Sequence, residues 1–412
     1  MADTAEKPAS DLPDTARNRH IFGPGPKRIL AIDGGGVRGV IALTFLAQIE
    51  AILRTRTKNP ELRLCNYFDL IGGTSTGAII AVGLALGYPV ERLIDIYSSL
   101  SREGFKKSLL GFGGLLTPKF KEAPLAKAIY DRVQDETLGS DKLLTGVCIV
   151  AKRLDTDSVW VMHNNPLGKY YGDDNPAKKF KGIPNKDFPL RNLLRASTAA
   201  PSYFMPQSIE VAHDDDGKVV KGLFVDGGVS PHNNPALLMF MLATINGYKF
   251  CWPTGADRLM LVSVGNGSTS ESPTHDKGLN ILAALLGVKA LTSMMQDCSQ
   301  LNEALLQWMS RCPNPSRIDR EIGDLSGDQL GPQPLLHYVR YDVELETKWL
   351  HGLGLSYSRE RLAEIGQFDR PDLLPEWLKI GRLSAEAYVK DVHFPSAFDA
   401  IPEPVGSTVV IG

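Results

Sequence analysis

The chain has 412 residues, 43% of them hydrophobic, and sets 45 Lys and Arg against 47 Asp and Glu. That length can bury a large core, as one big α/β domain or as units of about 150 residues, and the balanced charge lacks the basic excess of a dedicated binder of nucleic-acid polymers. Five cysteines, Cys65, Cys148, Cys251, Cys298 and Cys312, odd in number and without a C-x-x-C pair, point to a reduced, cytoplasmic protein rather than a disulfide scaffold.

Residues 1–26 read as a flexible tail, polar and without the apolar centre of a secretory signal, ending in Gly23-Pro24-Gly25-Pro26. No run reaches the roughly 18 apolar residues of a membrane span, so membrane association is expected to be peripheral. Residues 28–33 form a short apolar strand, followed by Gly34-Gly35-Gly36-Val37-Arg38-Gly39. A helix over 40–54 comes next, its Val40, Leu43, Leu46, Ile49 and Leu53 recurring at three- and four-residue steps. The glycine turn has two readings. Gly34, Gly36 and Gly39 match the dinucleotide fingerprint in its strand-turn-helix setting, although Glu61, near the required acidic spacing, ends no visible strand. Alternatively, successive backbone N–H groups at a helix N-terminus form a nest for an oxyanion.

The next unit repeats the pattern. A buried strand over 68–71 and an apolar helix over 76–86, ended by Gly87, flank Gly73-Thr74-Ser75-Thr76-Gly77, a G-x-S-x-G sequence. A serine there projects its hydroxyl from a tight turn above the positive end of a helix. Glycines two residues to either side leave room that a Cβ would obstruct. Such pentads also recur in ordinary loops; the strand and helix on either side give this one weight. Adjacent parallel strands would deliver both turns to one carboxyl edge, which tips the first turn towards oxyanion binding.

A helix over 88–101 follows. The apolar, lysine-flanked stretch 105–120 reads either as a lid touching lipid or as a plain loop on the core. A helix over 123–133, strands over 144–152 and 158–163, a solvated loop with Lys178, Lys179 and Lys181, and a short helix over 190–200 come next. The strand 221–226 ends in Asp226-Gly227-Gly228, with Asn234 as N-cap and Pro235 opening another helix. Asp226 reads as an active-edge carboxylate or as a turn aspartate before glycines. A strand over 258–264, a helical 279–311, a strand over 335–343 and helical stretches at 362–367 and 374–389 complete the pattern. A Ser–Asp–His triad would draw on a later histidine such as His337; His232 reads as a loop or helix-start residue. The alternation argues one α/β domain over 27–345 and a helical extension with an irregular tail over 346–412.

Four stretches in one order, Asp33 to Gly39, Gly73 to Gly77, Arg195-Ala196-Ser197-Thr198-Ala199-Ala200-Pro201, and Asp226 to Val229 with Asn233-Asn234-Pro235, resemble the patatin-like phospholipase family. The resemblance implies a three-layer α/β/α sandwich with a mostly parallel central sheet, and a Ser–Asp dyad working without histidine, metal or other cofactor. Carried over by position, it makes Ser75 the nucleophile and Asp226 its partner. The oxyanion hole falls on Gly34, Gly35 and Gly36 with Arg38 holding the turn, and Gly39, Gly73, Gly77, Gly227 and Gly228 support the motifs. Ala78 and Asn266 depart from common family residues without touching the dyad. The implied substrate is a phospholipid or other acyl-glycerolipid at a membrane surface.

Three functions follow: a constitutive lipid acyl hydrolase, a bacterial defence effector of the same chemistry switched on by a nucleotide activator, and a non-catalytic module binding nucleotide on the 34–39 turn.

Overall fold

The computed structural model describes residues 9–104, 122–172, 182–201, 203–268 and 283–401; the lid stretch at 105–120 and Lys178, Lys179 and Lys181 lie outside them. Nine strands are described: β1 (Lys27–Ile32), β2 (Leu70–Thr74), β3 (Gly146–Arg153), β4 (Ser158–His163), β5 (Gln207–His213), β6 (Val219–Asp226), β7 (Leu259–Val264), β8 (Ser310–Arg311) and β9 (Leu336–Tyr341). They join in one sheet in the order β5-β6-β3-β2-β1-β7-β9-β8, with β4 paired to β3. The run from β3 through β2, β1, β7 and β9 to β8 is parallel, while β4, β5 and β6 pair antiparallel.

The helices are α1 (Ala16–Phe22), α2 (Gly39–Thr57), α3 (Leu64–Tyr67), α4 (Thr76–Ala85), α5 (Val90–Gly104), α6 (Glu122–Val133), α7 (Leu190–Ser197), α8 (Ala236–Thr244), α9 (Ala283–Met309), α10 (Thr347–Gly352), α11 (Arg359–Ile365) and α12 (Leu374–Tyr388). The two-residue period of the strands divides their side chains between two apolar layers. Leu30 and Ile32 of β1 and Met260, Val262 and Val264 of β7 face a layer with α2, α4 and α12. Ile29, Ala31, Leu259 and Leu261 face the other, with Ile21 and α8. The α/β/α sandwich follows from this division, because central parallel strands are buried on both faces.

Two expectations from composition are corrected. Part of the stretch expected as a flexible tail is the helix α1, capped by Thr15, whose side chain accepts from the Asn18 N–H at 3.2 Å. Two of its polar side chains are buried against distant partners, His20 Nδ1 lying 2.8 Å from Asp69 Oδ1 and Arg17 donating to the Tyr171 hydroxyl at 3.0 Å, and the Ile21 carbonyl accepts from Trp252 Nε1 at 2.9 Å. One stretch does have the length and mean hydropathy (1.6) of a membrane span, Gly36–Thr57, but it is two-thirds buried inside the protein. It carries α2, which packs between the sheet and α12. There Gly381 lies so close to Thr44 that a Cβ would stand 2.3 Å from its Oγ1. The helical region expected after residue 345 is present, and it packs on the core: Trp377, Ile380, Phe394 and Phe398 are buried in the same apolar layer as α2.

Candidate active site

Ser75 stands between β2 and α4 at φ 56°, ψ −128°. That conformation is foreign to L-residues other than as a strained turn and costs on the order of 1–3 kcal/mol. The flanking glycines make it feasible. A Cβ on Gly73 would stand 2.3 Å from the Gly77 backbone, and one on Gly77 would stand 2.4 Å from the Ile32 carbonyl oxygen. Gly77→Ala is therefore expected to force the end of β1 away from α4, lowering stability by roughly 1–3 kcal/mol or more. Thermal unfolding and ester turnover measured together should both fall.

Asp226 reaches Ser75 through an arrangement of strands that motif order does not reveal. Along one edge of β3, β2 pairs parallel from Gly146 to Val150 and ends with Thr74 opposite Val150. β4 covers Cys148 to Arg153, and β6 also pairs antiparallel with residues 151–153, Asp226 lying opposite Ala151. A strand has only two edges, so β6 must share the β2 edge. The C-terminal ends of β2 and β6 therefore meet head to head, one running up β3 and the other down it. Across that junction Ser75 Oγ donates to Asp226 Oδ2 at 2.5 Å, while Gly228 N–H donates to Asp226 Oδ1 at 2.7 Å.

The Ser75–Asp226 pair is nearly enclosed, with Ser75 8% and Asp226 6% exposed. Burial lifts the Asp226 carboxyl to about 6, against the opposing pull of the hydrogen bonds from Ser75 and Gly228. The stretch 195–201 holds both partners by the backbone. Ser197 Oγ accepts from the Ser75 N–H at 2.8 Å and donates to the Val150 carbonyl at 2.6 Å, and the Ala199 carbonyl accepts from the Asp226 N–H at 3.0 Å. Ser197 is thus a supporting residue that the motif contained but whose job only its contacts disclose.

The glycine turn lies beside Ser75: a Cβ on Gly34 would stand 3.1 Å from Ser75 Cβ. Its amides are not equivalent, and Gly34 departs from the expected role. Its N–H donates to the Asn233 carbonyl at 3.0 Å, and Val37 N–H is engaged by the Phe368 carbonyl at 2.8 Å. Gly35 N–H makes only a long 3.4 Å contact with Thr76 Oγ1, and Gly36 N–H meets no acceptor among the described residues. The two amides open to a ligand are therefore those of Gly35 and Gly36. Arg38 Nη1 donates to the Gly366 carbonyl at 2.9 Å. Asp33, just before the turn, is clasped by Arg340, whose Nη2 lies 2.7 Å from Asp33 Oδ2.

Neither His337 nor His232 hydrogen-bonds to Ser75 or Asp226. His337 Nε2 lies 2.9 Å from the His393 carbonyl, and His232 takes part through its backbone, its carbonyl accepting from Thr74 Oγ1 at 2.5 Å. Among the described residues no group of three or more His, Cys, Asp or Glu is arranged to hold a metal ion.

A family model described as patatin-like phospholipase matches residues 30–240, which include Ser75, Asp226 and the glycine turn. The chain belongs to the patatin-like phospholipase family. It is 31% identical over 214 residues to a cGAMP-activated phospholipase of Escherichia coli (strain TW11681), covering 51% of this chain and 54% of that one. It is 29% identical over 255 residues to patatin group J-1 of Solanum tuberosum, covering 59% and 61%. The chain thus matches less than two thirds of the length of these curated relatives. Among solved structures, VipD from Legionella pneumophila overlays with a TM-score of 0.32 and 12% identity, over 86% of this chain and 67% of that one. The patatin-like match ends at α8, so β7, β9 and α12 lie beyond it.

Proposed function

We propose that this patatin-like protein hydrolyses acyl esters of membrane glycerolipids through Ser75 and Asp226. The carrying observation is the 2.5 Å hydrogen bond between two buried side chains, Ser75 on a strained elbow and Asp226 at the end of β6. A serine hydroxyl needs a base within hydrogen-bond reach, and Asp226 is that base directly. As Ser75 Oγ attacks the ester carbonyl, its proton passes to Asp226 Oδ2, and the oxyanion forms against the Gly35 and Gly36 amides. Protonated Asp226 then returns the proton to the departing lysolipid oxygen as the ester C–O bond breaks. Water next attacks the acyl-serine, giving its proton to Asp226, and Ser75 leaves protonated with release of the fatty acid. Each oxyanion donor contributes about 3 kcal/mol to such a step. Against the nucleotide-module reading, the Gly34 and Val37 amides that would cradle a pyrophosphate are engaged by Asn233 and Phe368.

Phospholipid vesicles incubated with the protein should yield free fatty acid and lysolipid by mass spectrometry. A fluorophosphonate should block the release by labelling Ser75, and a chelator should leave it unchanged. Label on another residue, or release that survives labelling, would overturn the dyad. The pH profile is a second test. Because the base must be the carboxylate, kcat/KM should rise with pH along an acid limb near pH 6, about two units above an ordinary aspartate. A limb near pH 4 would contradict the burial argument.

The name of the Escherichia coli relative favours a second reading, in which the same hydrolysis is held off until a cyclic oligonucleotide arrives and then acts on the membrane from the cytoplasm. Vesicle hydrolysis assayed with and without a panel of cyclic oligonucleotides tests it. Equal activity in every arm would leave a constitutive hydrolase.

A further inference from the structure

We infer that the segment around Gly366 to Phe368, outside the 30–240 match, is a positioning element that sets the oxyanion turn. The peptide unit joining Gly36 to Val37 is pinned at both ends. Its carbonyl accepts from the Tyr97 hydroxyl of α5, and its N–H donates to the Phe368 carbonyl at 2.8 Å. One residue on, Arg38 Nη1 donates to the Gly366 carbonyl at 2.9 Å. Gly36 adopts φ +56°, and a Cβ there would stand 2.5 Å from the Phe368 oxygen, so segment and turn are in direct contact.

The segment is itself anchored. The Ile365 carbonyl accepts from Nε1 of the fully buried Trp377 at 2.9 Å, and α12, which carries Trp377, lies on α2. On its other side the Phe368 ring packs against Tyr203, centroids 5.2 Å apart, next to the stretch that holds the backbones of Ser75 and Asp226. The segment therefore ties the oxyanion turn to the dyad's support. Rotating the Gly36–Val37 peptide unit would turn the neighbouring Gly36 amide out of line, and in a preorganised site a misplacement of about 1 Å can cost a hundredfold in rate.

The inference rests on the hydrolase reading, and its experiment separates the two. Wild type, Phe368→Ala, Phe368→Tyr and Tyr97→Phe are compared on a water-soluble p-nitrophenyl butyrate ester, each rate divided by the number of serines titrated with fluorophosphonate. Counting competent serines removes any loss through unfolding. Phe368→Ala should lower kcat about ten- to a hundredfold with KM within roughly twofold, and the rate of phosphonylation should fall in parallel. Phe368→Tyr, which restores the ring, should recover most of the loss. Tyr97→Phe, which releases the other end of the same peptide unit, should lower kcat in the same way and carries the test if Phe368→Ala does not fold. Unchanged kcat per titrated serine, or a rise in KM alone, would overturn the positioning role. A wild type that neither hydrolyses ester nor takes the label would instead overturn the hydrolase reading.

Discussion

Asp226→Asn should lower kcat for ester release by roughly four to six orders of magnitude, and Ser75→Ala should do the same. Asparagine preserves the size of the side chain, and its oxygen still accepts from Gly228 N–H, but an amide cannot take the Ser75 proton. Because the two residues act as one unit, the double variant should be no slower than either single one; additive losses would mean that they work separately. The stability of Asp226→Asn should move the opposite way. The folded carboxyl sits at about 6, above its unfolded value of about 3.9. The protonated folded state is therefore favoured at low pH, and that stability is lost as pH rises from about 4 through 6, some 3 kcal/mol in all. The asparagine variant has no proton to lose. Its unfolding midpoint should exceed that of wild type at pH 7.5 and converge with it near pH 4. A variant less stable than wild type at pH 7.5 would show that the buried charge is not the costly feature proposed.

Arg340→Met should be among the most damaging substitutions far along the chain from the dyad. Arg340 is buried and holds Asp33 at 2.7 Å, Asp342 at 2.9 Å and Glu303 at 3.4 Å, with Nη1 donating to Ser263 Oγ at 2.7 Å. Even with this cation in place, burial outweighs its attraction and lifts Asp33 to about 6. Removing the cation leaves crowded carboxylates without a counter-charge, a loss of about 3–5 kcal/mol. The sign with pH follows from Asp33. Its folded pKa is already above the unfolded value and should rise further, so the deficit should be smallest near pH 4 and grow through pH 6 and beyond. Denaturant titrations of both proteins at pH 5 and pH 8 check this, and equal deficits at the two pH values would contradict it. Ester turnover should fall too, because Asp33 leads directly into the oxyanion turn.

Local motifs were legible because their constraints are local. A Cβ on Gly73 would strike the Gly77 backbone four residues on, a constraint that spacing carries, whereas Gly77 also answers to the Ile32 carbonyl of β1, which spacing does not show. Most strand ends were legible within a residue or two, although β2 runs on to Thr74 and β5 had no expected counterpart. Asn234 and Pro235 marked a helix start one residue early: the helix begins at Ala236, with Pro235 in the cap position and Asn234 Oδ1 accepting from Ala236 N–H at 3.0 Å. Burial of polar residues was not legible. The His20 and Arg17 side chains look like a solvated tail until Asp69 and Tyr171, about 50 and 150 positions away, are brought beside them. The late helices looked like an appendage for a related reason: Trp377 and Phe368 carry no signal of what lies against them.

The chain by itself determined an alternating α/β pattern, a serine elbow, a glycine-rich anion turn and a strand-end aspartate, because backbone sterics and hydrophobic period act between near neighbours; the three-layer sandwich was implied by the family resemblance. It did not determine how these pieces meet. The sequence put the glycine turn and the serine elbow on adjacent parallel strands, which β1 and β2 are, but it carried no sign that Asp226 arrives on an antiparallel strand that meets β2 end to end along β3. It also placed Gly34 among the oxyanion donors, whereas Asn233, some 200 residues later, engages its amide. Strand direction and amide partners are properties of pairs of segments far apart in the chain, and only the folded structure brings those segments together.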